Sequence, residues 1–473
     1  MNLSVLALAI AAVLLAACTA VPPAADESAA QPLPAQSEAA PPPTPSWPAA
    51  PQTPSGELDA AAVEALDRLV GSFDERRLDR QALDVVAVSG DARIGWLLSD
   101  LLRFSAPGTA GAIEVGDAFA TLTGYDPRGD ERFGHDDWLA VTNLLIGWDL
   151  PAYPGYRQHK AAIFLPIEPG WEPFFADADA AIDWRWLSWG GVFIDDREIA
   201  DGRPCSRGCI PALDDPALTS AADGGWYRDP RPIFGIVVNG EAVAFPKHIL
   251  EVHEMVNLTV GGQRIGLPYC TLCGSAQAYV TDAIPEGIGV PVLRTSGLLS
   301  RSNKVMYDLV TRSAFNTFTG EAVSGPLQDE GLVLEQISVV STTWGEWKAA
   351  HPQTRIVAED GGIGRSYADD PLGGRDLEGP IFPVGPIDPR LPAQTKVVGV
   401  IGPSGPIAFP VEQALAELGA GGSLRVGDVE AFADGGGLRV RDGTGEQLPA
   451  HEAFWFAWSQ FHPDTVLWSP VSR

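Results

Sequence analysis

Basic residues are scarce in this chain. Lys and Arg number 32 against 61 Asp and Glu, a net charge of −29. So acidic a surface repels phosphate backbones and anionic lipid, which argues against nucleic-acid binding. Cysteine is rarer still, with five in 473 residues, and Met occurs three times. No Gly-x-Ser-x-Gly elbow occurs, so a serine hydrolase lacks support. No phosphate-binding glycine loop or nucleotide fingerprint is present either. Beyond the first residues, no apolar run is long enough to read as a transmembrane helix.

What is present begins with "MNLSVLALAIAAVLLAACTA". The apolar run from Val5 to Ala17 is too short to span a bilayer but suits a signal h-region. Leu15-Ala16-Ala17-Cys18 resembles a bacterial lipobox, in which residues 1–17 are removed and Cys18 carries the acyl chains. The n-region has no Lys or Arg, so an ordinary cleaved signal peptide or a misassigned start codon stands beside that reading. Residues 18–56 are rich in Ala, Pro, Ser and Gln. They bury too little apolar surface to offset their ordering entropy, and their prolines favour extended conformations. The expectation is a lipid-anchored protein of the bacterial cell envelope, extracytoplasmic, touching the membrane only through its N-terminus. That compartment permits disulfides. No protein or small-molecule partner is identified by the sequence.

Residues 57–200 read as a helical domain. "LDAAAVEALDRLVGS" places Ala62, Val63, Leu66, Leu69 and Val70 on one face, and "DARIGWLLSDLLRF" does the same with Ile94, Leu97, Leu98, Leu101 and Leu102. "IEVGDAFATLTG" and "HDDWLAVTNLLIGWD" continue the pattern, whose spacing resembles a degenerate stack of helical hairpins. Trp184, Trp186 and Trp189 close the region. They suit packing between domains, or a ligand groove. A connecting segment, 201–230, carries Cys205 and Cys209.

The character then turns to β. Asn239-Gly240 and Gly261-Gly262 mark two hairpins, and "HILEVHEMVN" reads as a short helix. "IFGIVVNGEAVAFPKHIL" is echoed by "VVGVIGPSGPIAFPVEQAL", and "WKAAHPQTRIV" by "WSQFHPDTVLW". The fold class expected is α+β: an N-terminal helical domain followed by a duplicated, β-rich α+β module. The copies span 231–358 and 395–473, joined by a linker at 359–394. The second is shorter and lacks cysteine. His351 and His462 recur before proline at helix ends, where a histidine caps the last carbonyls.

Several stretches in order carry a family resemblance: "IPALDDPALTSAAD", "GIVVNGEAVAFPKHIL", "HEMVN", "GLPYCTLCGSAQAY", "SGLLSRSNKVMYD" and "WGEWKAAHP". Over roughly residues 130–470 the chain resembles the bacterial proteins grouped as domain of unknown function 3179, a family without an established activity. The resemblance implies that His253, Glu254, Asn257, Cys270, Cys273, Gly274, Ser296, Asn303, Met306 and Asp308 fall on the family's motif positions. "SAFNTF" and "CSRGC" depart from the family pattern.

Cys270 and Cys273, spaced Cys-x-x-Cys, are the centre of the candidate site. On a helix His253 and Asn257 lie one turn apart, so both are candidates to face the sulfurs. Three readings stand. Cys270, Cys273 and His253 bind zinc or copper, with Met306 as a thioether for a cuprous ion. Alternatively the cysteines are a dithiol–disulfide couple. In the third reading they form a structural disulfide, or pair with Cys205 and Cys209. Those last two make either a local disulfide or half of a Cys₄ zinc site. Glu254 is either a base or a solvated helix residue. Ser296, Asn303 and Asp308 lie beside the site, and Gly274 allows a tight exit from it. A non-enzymatic scaffold with structural disulfides is the alternative function.

Overall fold

A computed structural model describes residues 47–470, apart from 75–76, 200, 202, 204 and 286. The expected signal segment, Cys18 and most of the expected linker lie outside the described residues. Among the described residues no helix is long and apolar enough to cross a membrane.

The first third of the described chain is helical, as its apolar spacing requires. Helices cover Ala60–Asp74, Arg80–Ala87, Gly95–Arg103, Ala110–Thr123, Asp137–Trp148 and Tyr156–Phe164. Short polar side chains start several of them by accepting an orphan backbone N–H: Asp79 from Ala82, Thr109 from Ala112 and Asp136 from Leu139. Gly124 ends its helix in the left-handed region. The buried face of the first helix is Ala62, Ala65, Leu66, Leu69 and Val70, while Val63 faces solvent. The tryptophans at the end of the region pack. Trp189 stacks on Phe104 at 5.4 Å, and the Arg301 guanidinium lies 3.8 Å from the Trp186 ring.

The β region corrects the expected fold class. It is not a duplicated α+β module but a five-bladed β-propeller. Blade 1 is built on the hairpin Pro232–Val238/Glu241–Pro246, flanked by Val340–Thr343, Arg355–Val357 and Leu218–Ser220. Blade 2 centres on Met255–Val260 and Gln263–Cys270, blade 3 on Leu293–Ser300 and Asn303–Asp308. Blade 4 centres on Lys396–Gly402 and Gly405–Pro410, blade 5 on Val429–Asp434 and Gly437–Arg441.

The echoed sequences do occupy matching places in blades 1 and 4. Trp347 donates to Thr354 at 2.9 Å and Trp458 to Thr465 at 2.8 Å. Each indole covers a glycine, Gly235 or Gly399, where a Cβ would collide with the ring. The span of the first copy, however, is divided among blades 1, 2 and 3, and blade 3 borrows Leu187–Trp189 from upstream. A copy is therefore not a closed folding unit. His351 and His462 are the C-cap residues of their helices, as expected, their backbone N–H groups donating to the Trp347 and Trp458 carbonyls. Their rings lie 4.0 and 4.3 Å from Trp347 and Trp458, and His351 Nε2 meets Asp434 at 3.0 Å.

Blade faces supply the core. Ile236 and Phe245 of blade 1 meet Leu258 and Leu267 of blade 2. Met255 and Tyr279 of blade 2 meet Leu293 and Phe315 of blade 3. The Cys-x-x-Cys turn packs on Phe454 and Trp455 at the end of blade 4. Alternating side chains let one strand serve two such faces.

Candidate functional site

The helix Lys247–His253 ends because Glu254 takes a left-handed conformation, φ 51°, and donates its N–H to Leu250. The chain re-enters a strand at Met255, so Asn257 lies on a strand and not one helical turn from His253. The hairpin partner, Gln263–Cys270, runs into a turn that returns as Ser275–Ala276, with Cys270 opposite Ser275. Gly274 makes that return at φ 59°, where a Cβ would lie 2.8 Å from the Phe454 ring.

Cys270 and Cys273 are joined as a disulfide, with Cα atoms 5.3 Å apart. Cys273 is fully buried and Cys270 retains 6 % exposure. The Ser302 carbonyl oxygen lies 3.3 Å from Cys273 Sγ and 3.9 Å from Cys270 Sγ.

A buried charge pair holds this turn from behind. Lys304 Nζ donates to the Glu254 carbonyl at 2.7 Å and the Tyr269 carbonyl at 2.8 Å, and meets Glu254 Oε2 at 2.8 Å. All three ammonium donors are thereby used. The Thr271 hydroxyl, inside the Cys-x-x-Cys turn, donates to Glu254 Oε1 at 2.8 Å. Burial pulls the Lys304 pKa down, and the Glu254 carboxylate opposes that fall. Glu254 is therefore neither a solvated residue nor a free base.

The sulfur side is different. Ser275 Oγ, Ser302 Oγ and both polar atoms of the Asn303 amide are buried with no hydrogen-bond partner among the described residues. Ser275 lies opposite Cys270 in the strand register, and Ser302 approaches both sulfurs through its carbonyl.

The other expected site residues are engaged elsewhere. His253 Nδ1 donates to the Pro211 carbonyl at 2.7 Å, and Nε2 accepts from the Tyr367 hydroxyl at 2.8 Å. Burial depresses its pKa to about 4. Met306 sits in the apolar layer between blades 2 and 3, not in the cluster that holds the cysteines. Asn257 donates to Asp214 and to the Leu293 carbonyl, both at 3.0 Å, and accepts from Leu293 N–H at 3.0 Å. The Ser296 hydroxyl donates to the Val305 carbonyl at 2.5 Å, within an irregularity of the blade 3 hairpin. Asp308 accepts from Val292 N–H at 2.8 Å and from Thr311 N–H at 2.7 Å. These contacts orient strands.

Cys205 and Cys209 form a second, local disulfide. With Asp195 they are the one group of three Cys, His, Asp or Glu ligand atoms lying within 4.8 Å of one another among the described residues. Cys270, Cys273 and His253 do not make such a group. Neither disulfide offers a thiolate, so the zinc or copper expected from the sequence finds no sulfur ligand in this redox state.

Sequence reasoning placed Ser302 beside the site but missed Lys304, Thr271, Ser275 and Asp195. Lys304 carried a signal: a lone cation inside the apolar strand "NKVMYD" needs a buried partner. Two disulfides accord with an oxidising, extracytoplasmic compartment. Comparison with curated proteins found no match, and neither did comparison with solved structures. Residues 207–433, which carry the Cys-x-x-Cys turn and its Lys304–Glu254 support, match the family model described as Protein of unknown function (DUF3179), a match that supports membership of that family.

Proposed function

We propose that this is a lipid-anchored envelope protein whose Cys270–Cys273 pair works as a dithiol–disulfide couple. The observation that carries the reading is the division of labour around the turn. The Lys304–Glu254–Thr271 framework fixes the backbone without help from the sulfur–sulfur bond. Closing so short a loop adds only about 2 kcal/mol on chain-entropy grounds, against about 4.7 kcal/mol for a 100-residue loop. A bond that contributes little as a staple, beside unpartnered Ser275, Ser302 and Asn303, suits a reversible group.

The step takes two electrons and two protons from a dithiol. Its thiolate attacks Sγ of Cys270, the less buried residue of the pair, and Cys273 leaves as the thiolate and takes a proton. The second thiol of the donor then resolves the mixed disulfide and departs as its own disulfide. The reduced Cys273 S–H lies within reach of the Ser302 carbonyl.

Burial of Cys273 beneath Phe454 favours a second reading, a non-enzymatic scaffold with structural disulfides. Differential alkylation after graded treatment with dithiothreitol separates the two. A redox couple is reduced while the protein stays folded; a structural disulfide is reduced only as the protein unfolds. Radiolabelled palmitate incorporation, lost on Cys18→Ser, tests the anchor.

A further inference from the structure

We infer that Asp195, Cys205 and Cys209 form a redox-gated site for a soft divalent cation of the zinc class, separate from the Cys270–Cys273 turn. The three ligand atoms already lie within 4.8 Å of one another, and Cys209 Sγ is 3.5 Å from Asp195 Oδ1. Zinc bonds of about 2.0–2.3 Å place tetrahedral ligand atoms about 3.5–3.8 Å apart, so Cys209 and Asp195 already stand at the required spacing, and the two sulfurs need only separate once their bond is reduced.

Asp195 is held in place for this role. It is fully buried. Its Oδ2 accepts from Ala212 N–H at 2.7 Å and from Arg197 at 3.1 Å, and its Oδ1 accepts from Arg197 Nε at 2.6 Å on the side of Cys209. The cysteines sit at the surface: both are half-buried, and Ser206, Arg207 and Gly208 between them are exposed. Solvent access supplies an entry path and a fourth position for water, the arrangement of an open three-ligand site.

The neighbouring arginines do not forbid a cation. Arg197, 2.6 Å from Asp195, balances the carboxylate already present, and Arg294, 3.7 Å away, is itself paired with Asp214 at 2.6 Å. A divalent ion entering with two thiolates adds no net charge.

The gate is the disulfide. A dithiol reductant attacks one sulfur, breaks the Cys205–Cys209 bond and leaves as a cyclic disulfide, delivering two electrons and two protons. The cation then displaces the two thiol protons into water. A disulfide oxidant, reduced in turn to its dithiol, takes the two electrons back, re-forms the Cys205–Cys209 bond and releases the ion.

The test uses the full chain, reduced under anaerobic conditions and titrated with Co²⁺, read by thiolate-to-cobalt charge-transfer absorption and competed with Zn²⁺. One Co²⁺ per chain is expected in the reduced protein and in the Cys270→Ser/Cys273→Ser variant. None is expected in the oxidised protein or in Cys205→Ser/Cys209→Ser. Asp195→Asn should weaken binding by about tenfold or more, since even an outer-shell partner is worth that much. Asp195 also anchors Arg197, so the cysteine variants, which change only a surface loop, carry the test if Asp195→Asn fails to fold. Binding that survives in Cys205→Ser/Cys209→Ser, binding by the oxidised chain, or no binding by the reduced Cys270→Ser/Cys273→Ser protein would overturn the inference.

Discussion

Lys304 Nζ lies 2.8 Å from Glu254 Oε2, and the two residues keep only 6 % and 9 % of their surface exposed. The ion pair joins blade 3 to the turn that ends the helix Lys247–His253, and through Thr271 it reaches the disulfide. Removing one partner strands the other charge in a dry place. Lys304→Met should therefore destabilise the protein by about 3–5 kcal/mol in urea unfolding. Adding Glu254→Gln to Lys304→Met should restore part of that loss. Equal stability of the single variant and wild type would remove the pair from the account.

Gly274 is placed to allow the turn and nothing larger. Gly274→Ala brings both a positive φ and a collision with the Phe454 ring, and should cost about 1–3 kcal/mol. Phe454→Leu in the same chain should relieve the steric part and leave the backbone part. Thermal melts of the two variants check this, and identical losses would show that the contact with Phe454 does not matter.

His253 should make the fold sensitive to acid. Its folded pKa, about 4, lies below the ordinary value of 6.5 because burial disfavours the imidazolium. The unfolded chain therefore binds the proton first. Stability is intact above pH 6.5 and is lost progressively as the pH falls through about 4. The full loss from this group is at most about 3 kcal/mol, at 1.36 kcal/mol per unit. In His253→Gln the stability gap to wild type at neutral pH should shrink in that window. A gap independent of pH would contradict a buried neutral imidazole.

The local parts of this fold were legible in the sequence. Asn239-Gly240 and Gly261-Gly262 gave the two hairpin turns because both residues of each must adopt positive φ. Apolar spacing gave the helix Ala60–Asp74 apart from Val63, which periodicity alone cannot distinguish from its buried neighbours. Sheet membership was not legible. Leu187–Trp189 pairs with Leu293–Ser300 across more than a hundred residues, and no local pattern encodes that partner. Asn257 was misplaced because a left-handed Glu254 ended the helix, a conformation its residue type does not announce. The Cys-x-x-Cys pair was visible at once. Its support was not, since Lys304 and Glu254 meet only in the folded chain, as do Asp195 and Cys209.

The cysteine pairs should differ little as staples. Each closes a loop of four or five residues, so replacing either pair by serine should cost about 2 kcal/mol and leave the fold intact. A loss of about 4 kcal/mol or more for Cys270→Ser/Cys273→Ser would favour the scaffold reading.

The central claim, that Cys270–Cys273 is a redox couple, is tested most directly by its reduction potential in the folded protein. The Cys205→Ser/Cys209→Ser chain is equilibrated against dithiothreitol buffers, and the remaining pair is quantified by differential alkylation and mass spectrometry. Tryptophan fluorescence is followed in the same samples. The expected result is reversible two-electron reduction with native fluorescence retained, at a potential above about −300 mV, where working dithiols lie. A potential below about −300 mV, or reduction that occurs only as the native fluorescence is lost, would contradict it.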